Sequence, residues 1–322
     1  MLQTLKAFVD VVLAVAVQSL MLAQVSFGYW RLRRRAVLEP SVATLDKRLR
    51  RRPLPADAFV SVVIPAYREV VTIEATLRRV LAAAAQPHAV EVVVVDAGGG
   101  DGTMAVAARV GEELEAKGLK VRCGPSSTGG RGPAVAAGAR VATGDVLVVL
   151  HADTRLPDGF DAAVVAALRD SSTLATCFRF GVDRLALDTA LASKRGSAAR
   201  ALEELAFFVM EATVAVRSDA LQLPFGDQAL ALRRETFEAL GGFDDLATLP
   251  ILEDFLLVHK LRVAGAATGA PAIRNLASTA QRRPGRHTGE STSLQLSCVP
   301  TTRRKRSVYA LGCPREMIAR PK

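Results

Sequence analysis

Glu91 to Thr103 reads EVVVVDAGGGDGT: a β-branched run, a carboxylate at its end, a glycine loop and a polar helix start. Four consecutive valines leave neither face of a strand polar, so the strand expects cover on both sides, as in a parallel sheet flanked by helices. Val60–Ile64 (VSVVI) and Asp145–Leu150 (DVLVVL) repeat that pattern. Helical composition fills 69–85, 103–117 and 132–142. Strand and helix alternating at this spacing predict an α/β fold, a Rossmann-like mostly parallel sheet with flanking helices. Beyond it, TLATCFRFGV (173–182) reads as a strand, Leu185–Val216 as an Ala-rich segment packed in the core, and ILEDFLLVHKLRVAG (251–265) as an apolar-periodic stretch.

With 322 residues, half of them hydrophobic, the chain can bury a substantial core, which excludes collagen-like and wholly disordered readings. The net charge of +10 would suggest a polyanion partner, but it sits on the flanks. Residues 31–52 carry nine Lys/Arg against Glu39 and Asp46, and residues 281–322 carry ten against Glu290 and Glu316, leaving the body mildly acidic. That distribution argues against a nucleic-acid groove. Val11–Trp30 is an uncharged stretch of bilayer-spanning length, ending in Tyr29-Trp30 and then RLRRR. An aromatic pair before a basic cluster predicts a single-pass N-terminal membrane anchor with its C-terminal side cytoplasmic. The expected organisation is therefore an anchor over 1–30, a basic tether over 31–58, a folded domain over 59–280 and a disordered basic tail over 281–322. Cys123, Cys177, Cys298 and Cys313 show no CxxC pair and no zinc-ligand spacing, which suits reduced thiols.

Ligands of open α/β sheets bind beyond the carboxyl ends of the strands, and every polar cluster here follows such an end. No GxGxxG fingerprint and no P-loop follow the first strand, which ends PAYRE. The same segment lacks the glycine-rich basic loop that a nucleotidyltransferase would need. Asp96 either closes a turn or accepts hydrogen bonds from a nucleobase or ribose, and Asp101 reads as a helix cap. His151 and Asp153, two residues apart at a strand end, point the same way and can converge on one ion or phosphate. Gly226-Asp227-Gln228 and Glu253-Asp254 complete the set, the last pair also readable as a charged first helical turn.

The order VVIPAYRE, VVVVDAGGGDGT, LHADT, GDQALALRRETFEALGGFDD and LEDFLLVHKLRVAG resembles the GT-A glycosyltransferases of family 2 over residues 60–280, most closely the subgroup with LHADTRLP, GDQ and a late Glu-Asp pair. The resemblance implies a nucleotide-sugar site of Pro65, Ala66, Tyr67, Glu69, Asp96, Arg131, Ala152 and Asp153. It implies a divalent cation, Mg²⁺ or Mn²⁺, at Asp153 with His151. Asp254 would be the catalytic base with Glu253 orienting it, and Gly226, Asp227 and Gln228 would meet sugar or acceptor. The implied reaction is inverting transfer to a hydroxyl of a lipid-linked, saccharide or small-molecule acceptor beside the membrane. His151 stands where many family members have Asp, and Arg68 and Ala136 where Asn is common. The alternative is a catalytically impaired nucleotide- or sugar-binding membrane protein with a truncated C-terminal region.

Overall fold

The computed structural model describes residues 54–126, 129–184, 197–242, 253–266 and 272–283. The expected anchor, the tether up to residue 53 and all of the tail beyond residue 283 lie outside these. Among the described residues no helix is long and apolar enough to cross a membrane.

Strands β1 (Val60–Ala66), β2 (Val90–Asp96), β3 (Lys120–Pro125) and β4 (Val146–Val149) form the parallel half of an eight-stranded sheet in the order β3-β2-β1-β4. The order continues through β7 (Leu230–Arg233), β6 (Ala175–Val182), β8 (Ile273–Arg282) and β5 (Thr154–Arg155). There the direction switches: β7 runs antiparallel to both β4 and β6, β8 is parallel to β6, and β5 is antiparallel to β8. The sheet is therefore mixed but still mostly parallel, as expected: β1, β2, β3, β4, β6 and β8 run one way, and β7 and β5 are reversed.

The valine runs are buried on both sides, as their composition requires. Val93 and Val95 enter one apolar layer with Val63, while Val92 and Val94 enter the other with Val62 and Ile64. The second layer is closed by α1 (Ile73–Ala83), α2 (Thr103–Glu115) and α4 (Phe160–Arg169). The first is closed by α3 (Arg131–Val141), α6 (Arg234–Ala239) and α7 (Glu253–Ala266). Helix α3 owes its small residues to its distance from the sheet: a Cβ at Gly138 would run into Val63 Cγ1 and stand 3.1 Å from Val95 Cγ2. The long helix α5 (Ser197–Asp219) lies against β6. Strand β8 ends at Arg282, so Gln281 and Arg282 belong to the sheet and not to the tail.

Candidate active site

Two glycine loops meet at the carboxyl edge of β1 and β2. Asp96 Oδ1 accepts the N–H groups of Gly98 and Gly99, each at 2.9 Å, so this carboxylate closes the turn after β2. Gly98 and Gly100 have φ of +95° and +63°, a region open to glycine at little cost. A Cβ at Gly99 would stand 2.7 Å from Arg68 N, which fixes how closely this loop lies on the segment after β1. The neighbouring loop is anchored by Gly130 N–H donating to Ala97 O at 3.1 Å, and it delivers Arg131 as the first residue of α3.

Arg131 is the hub of a polar cluster at this edge. Its Nη2 lies 3.1 Å from Asp254 Oδ2, and its Nη1 lies 3.2 Å from His151 Nε2. Asp254, the second residue of α7, is buried and also accepts the Gly226 N–H at 3.3 Å. A Cβ at Gly226 would collide with His151 Nε2 and approach Asp254 Oδ2 to 3.1 Å, so only glycine fits between them. Burial, and after it the charge of Arg131, push the His151 imidazole below its ordinary pKa, leaving a neutral ring at physiological pH. Asp227 acts on the same ring electrostatically, and its Oδ1 is buried with no hydrogen-bond partner among the described residues.

Asp153 stands beside this cluster. Its Oδ2 accepts from Arg282 Nε at 3.0 Å, and its carbonyl accepts the Arg283 N–H at 2.9 Å. Glu69 lies within electrostatic reach of Asp153 and Arg282. Burial raises its pKa above the ordinary carboxylate value, against the hydrogen bond from Thr72. Tyr67 is 54% exposed, with the Arg68 guanidinium 5.4 Å from its ring centroid, so a flat surface is open at this edge.

Pro65, Ala66 and Ala152 are buried, and the Ala152 carbonyl accepts from Thr76 Oγ1 at 2.5 Å. Gln228 is buried with its amide engaged inside the protein. Its Oε1 accepts from Ser218 Oγ at 2.8 Å, Arg217 Nη2 at 3.2 Å and Phe225 N–H at 3.3 Å, and its Nε2 donates to Phe178 O at 3.0 Å. Gln228 thus braces the Gly226–Gln228 turn that holds Gly226 against Asp254. Asp101 accepts from Thr103 N–H at 3.1 Å and from Val70 N–H at 3.4 Å, tying the start of α2 to the segment after β1. Glu253 opens α7, one residue before Asp254.

Arg217 and Arg282 were not among the residues expected at the site. Arg217 is buried, with its guanidinium 3.6 Å from the Phe225 ring centroid, and burial lowers its pKa. Arg217 directly follows the Ala-rich 185–216 segment, and a cation bordering an apolar run was the available signal, since a buried arginine needs a partner.

A divalent cation here would find the Asp153 carboxylate and the neutral His151 nitrogen. No cluster of three or more His, Cys, Asp or Glu groups able to hold an ion occurs among the described residues. The donor set therefore fits a cation that completes its shell with substrate phosphate oxygens, and does not fit a site built from protein alone.

No curated protein matches the chain. Among solved structures it is similar to the mannosyltransferase PcManGT of Pyrobaculum calidifontis in complex with GDP-Man and Mn²⁺, at 21% identity over 86% of this chain and 70% of that one, TM-score 0.49. It is similar to S. aureus TarS 1-349 in complex with UDP, at 16% identity over 70% of this chain and 61% of that one, TM-score 0.47. It is also similar to the glucosyl-3-phosphoglycerate synthase of Mycobacterium tuberculosis in complex with Mn²⁺ and UDP-Glc, at 20% identity over 77% of each chain, TM-score 0.42. The model of glycosyl transferase family 2 matches residues 61–240, more than half of the sequence, and the chain belongs to that family.

Proposed function

We propose that the protein is an inverting glycosyltransferase that moves a sugar from a nucleotide-sugar donor to an acceptor hydroxyl. The observation that carries this reading is the meeting of Arg131, His151, Gly226 and Asp254 at the carboxyl edge of the sheet, with Asp153 alongside. Asp254 is the base: its carboxylate takes the acceptor proton while the anomeric carbon is attacked from the face opposite the leaving group. Arg131 places positive charge where the diphosphate develops negative charge. Asp153 and His151 would hold a divalent cation, which when bound would supply charge neutralisation for the departing diphosphate. The open edge at Tyr67 and the glycine loop after Asp96 receive the nucleoside. From sequence alone, this reading includes the Val11–Trp30 anchor, the basic tether and the catalytic side facing the cytoplasm.

The test is thermal unfolding of the full chain with a panel of nucleoside diphosphates, with and without Mn²⁺. A saturating nucleotide should raise the midpoint by about 5–10 °C, and the metal-dependent part should vanish in Asp153→Ala. A folded protein that no nucleotide shifts would overturn the donor-site assignment.

A further inference from the structure

Strand β8 ends by bringing a cation onto the carboxylate expected to meet the donor's metal. Arg282 pairs with Thr154 across β8 and β5, its carbonyl accepts the Asp183 N–H at 2.9 Å, and the next N–H, of Arg283, donates to Asp153 O at 2.9 Å. The backbone here is therefore fixed without the Arg282 side chain. That side chain places its Nε–H on Asp153 Oδ2 at 3.0 Å, and Thr154 Oγ1 stands 3.3 Å from Oδ1, so both oxygens of the carboxylate are engaged. Among the described residues the Arg282 Nη groups donate to nothing, and the side chain is 51% exposed. Glu69 and Asp227 also lie within electrostatic reach of the guanidinium. Carboxylates from three separate segments, after β1, after β4 and before β7, thus face one arginine.

We infer that Arg282 bridges Asp153 to the donor diphosphate, so that the protein binds a nucleoside diphosphate without metal and a divalent cation must displace the guanidinium to reach Asp153. The inference rests on the transferase reading and adds a donor-binding residue to it. A guanidinium is a planar fork of N–H donors, so one edge can stay on a carboxylate while the other takes phosphate oxygens. The neighbouring contacts favour a ligand with charge spread over two phosphoryl groups. Arg131 reaches His151 and Arg282 reaches Asp153, so the short segment from His151 to Asp153 meets a guanidinium at each end. An exposed ion pair contributes little to stability, so the Arg282 side chain can be replaced without unfolding the strand it ends.

The experiment is a pair of titrations on the full chain. In EDTA, calorimetry with UDP, GDP, ADP and CDP should show binding of at least one nucleotide to the wild type. Arg282→Gln should bind that nucleotide at least about tenfold more weakly, the expected loss for hydrogen bonds between charged groups. In the second titration Mn²⁺ is added without nucleotide and followed by electron paramagnetic resonance. Arg282→Gln should bind Mn²⁺ at least about tenfold more tightly, because Asp153 has lost its competing cation. Arg282→Lys keeps the charge and loses the fork, so it should stay near the wild type for Mn²⁺ and fall severalfold for nucleotide. Arg155→Gln removes a positive charge from the adjoining strand, where Arg155 pairs with Asp183 at 3.0 Å, and should change neither affinity by more than about twofold. Wild-type behaviour of Arg282→Gln in either titration would overturn the inference. So would equal effects of Arg155→Gln and Arg282→Gln, which reduce the result to general charge. Nucleotide binding that strictly requires Mn²⁺ would sink the Arg282 bridge alone, whereas a folded wild type that binds no nucleotide with or without Mn²⁺ would sink the donor-site reading with it.

Discussion

Asp254 and Arg131 form an ion pair, so the proposed base and the proposed phosphate-facing cation are positioned together. Asp254→Asn keeps the shape and a hydrogen-bond acceptor for Gly226 N–H but cannot take a proton. Transfer should fall by about 10²–10⁴ in kcat, as for loss of a general base, while nucleotide stabilisation persists. A product assay on that variant showing wild-type turnover would remove the assignment. Single residues were legible where their order along the chain carried the signal: His151, Asp153, Asp227 and Asp254 were all named from motifs. What the motifs could not show is the use of each side chain. Asp96 closes its own turn and Gln228 braces the protein interior, because a buried amide beside three donors satisfies them before any ligand does.

At the scale of elements, α3 provides a test of sign. Glycine in a helix interior ordinarily costs about 1 kcal/mol relative to alanine, so Gly138→Ala would stabilise a free-standing helix. Against this sheet the added methyl meets Val63 and Val95, and the variant should instead be destabilised by about 1–3 kcal/mol. The denaturant midpoint decides between the two signs. The strands at the heart of the sheet were readable from their valine runs, since a strand buried on both faces has no polar positions to hide its pattern. Strand β8 was not readable: IRNLASTAQR mixes exposed and buried positions on a lateral strand and has no β-branched run. It exists because β6 offers it a parallel partner on both sides of one irregularity between Phe178 and Arg179.

For the whole molecule, the opposite edge of the sheet holds a buried polar network that sets its acid stability. Glu91 Oε1 accepts from Ser61 Oγ at 2.7 Å, Thr143 N–H at 2.5 Å and Thr143 Oγ1 at 2.8 Å, while Arg122 Nη2 stands 3.2 Å from Oε2. Burial pushes this carboxyl up, but the hydrogen bonds and Arg122 together hold it below its ordinary value of 4.5. A depressed folded pKa means the stabilisation is present above the unfolded value and is lost as pH falls below it. Glu91→Ala should therefore cost about 2–3 kcal/mol near pH 7, and its gap from the wild type should narrow as pH drops below about 4.5. Melting curves across that range check both parts.

The sequence by itself determined the central strands, the helices between them, the order of the motifs and hence the family, because all of these are written in local periodicity and spacing. Only the tertiary structure decided that the sheet is mixed and that Arg217 and Arg282 stand at the candidate site. Arg282 and Asp153 are 129 residues apart, and Gln228 and Phe178 are 50 apart. Pairings at that distance depend on which strand lies next to which, and no local pattern in the chain records it.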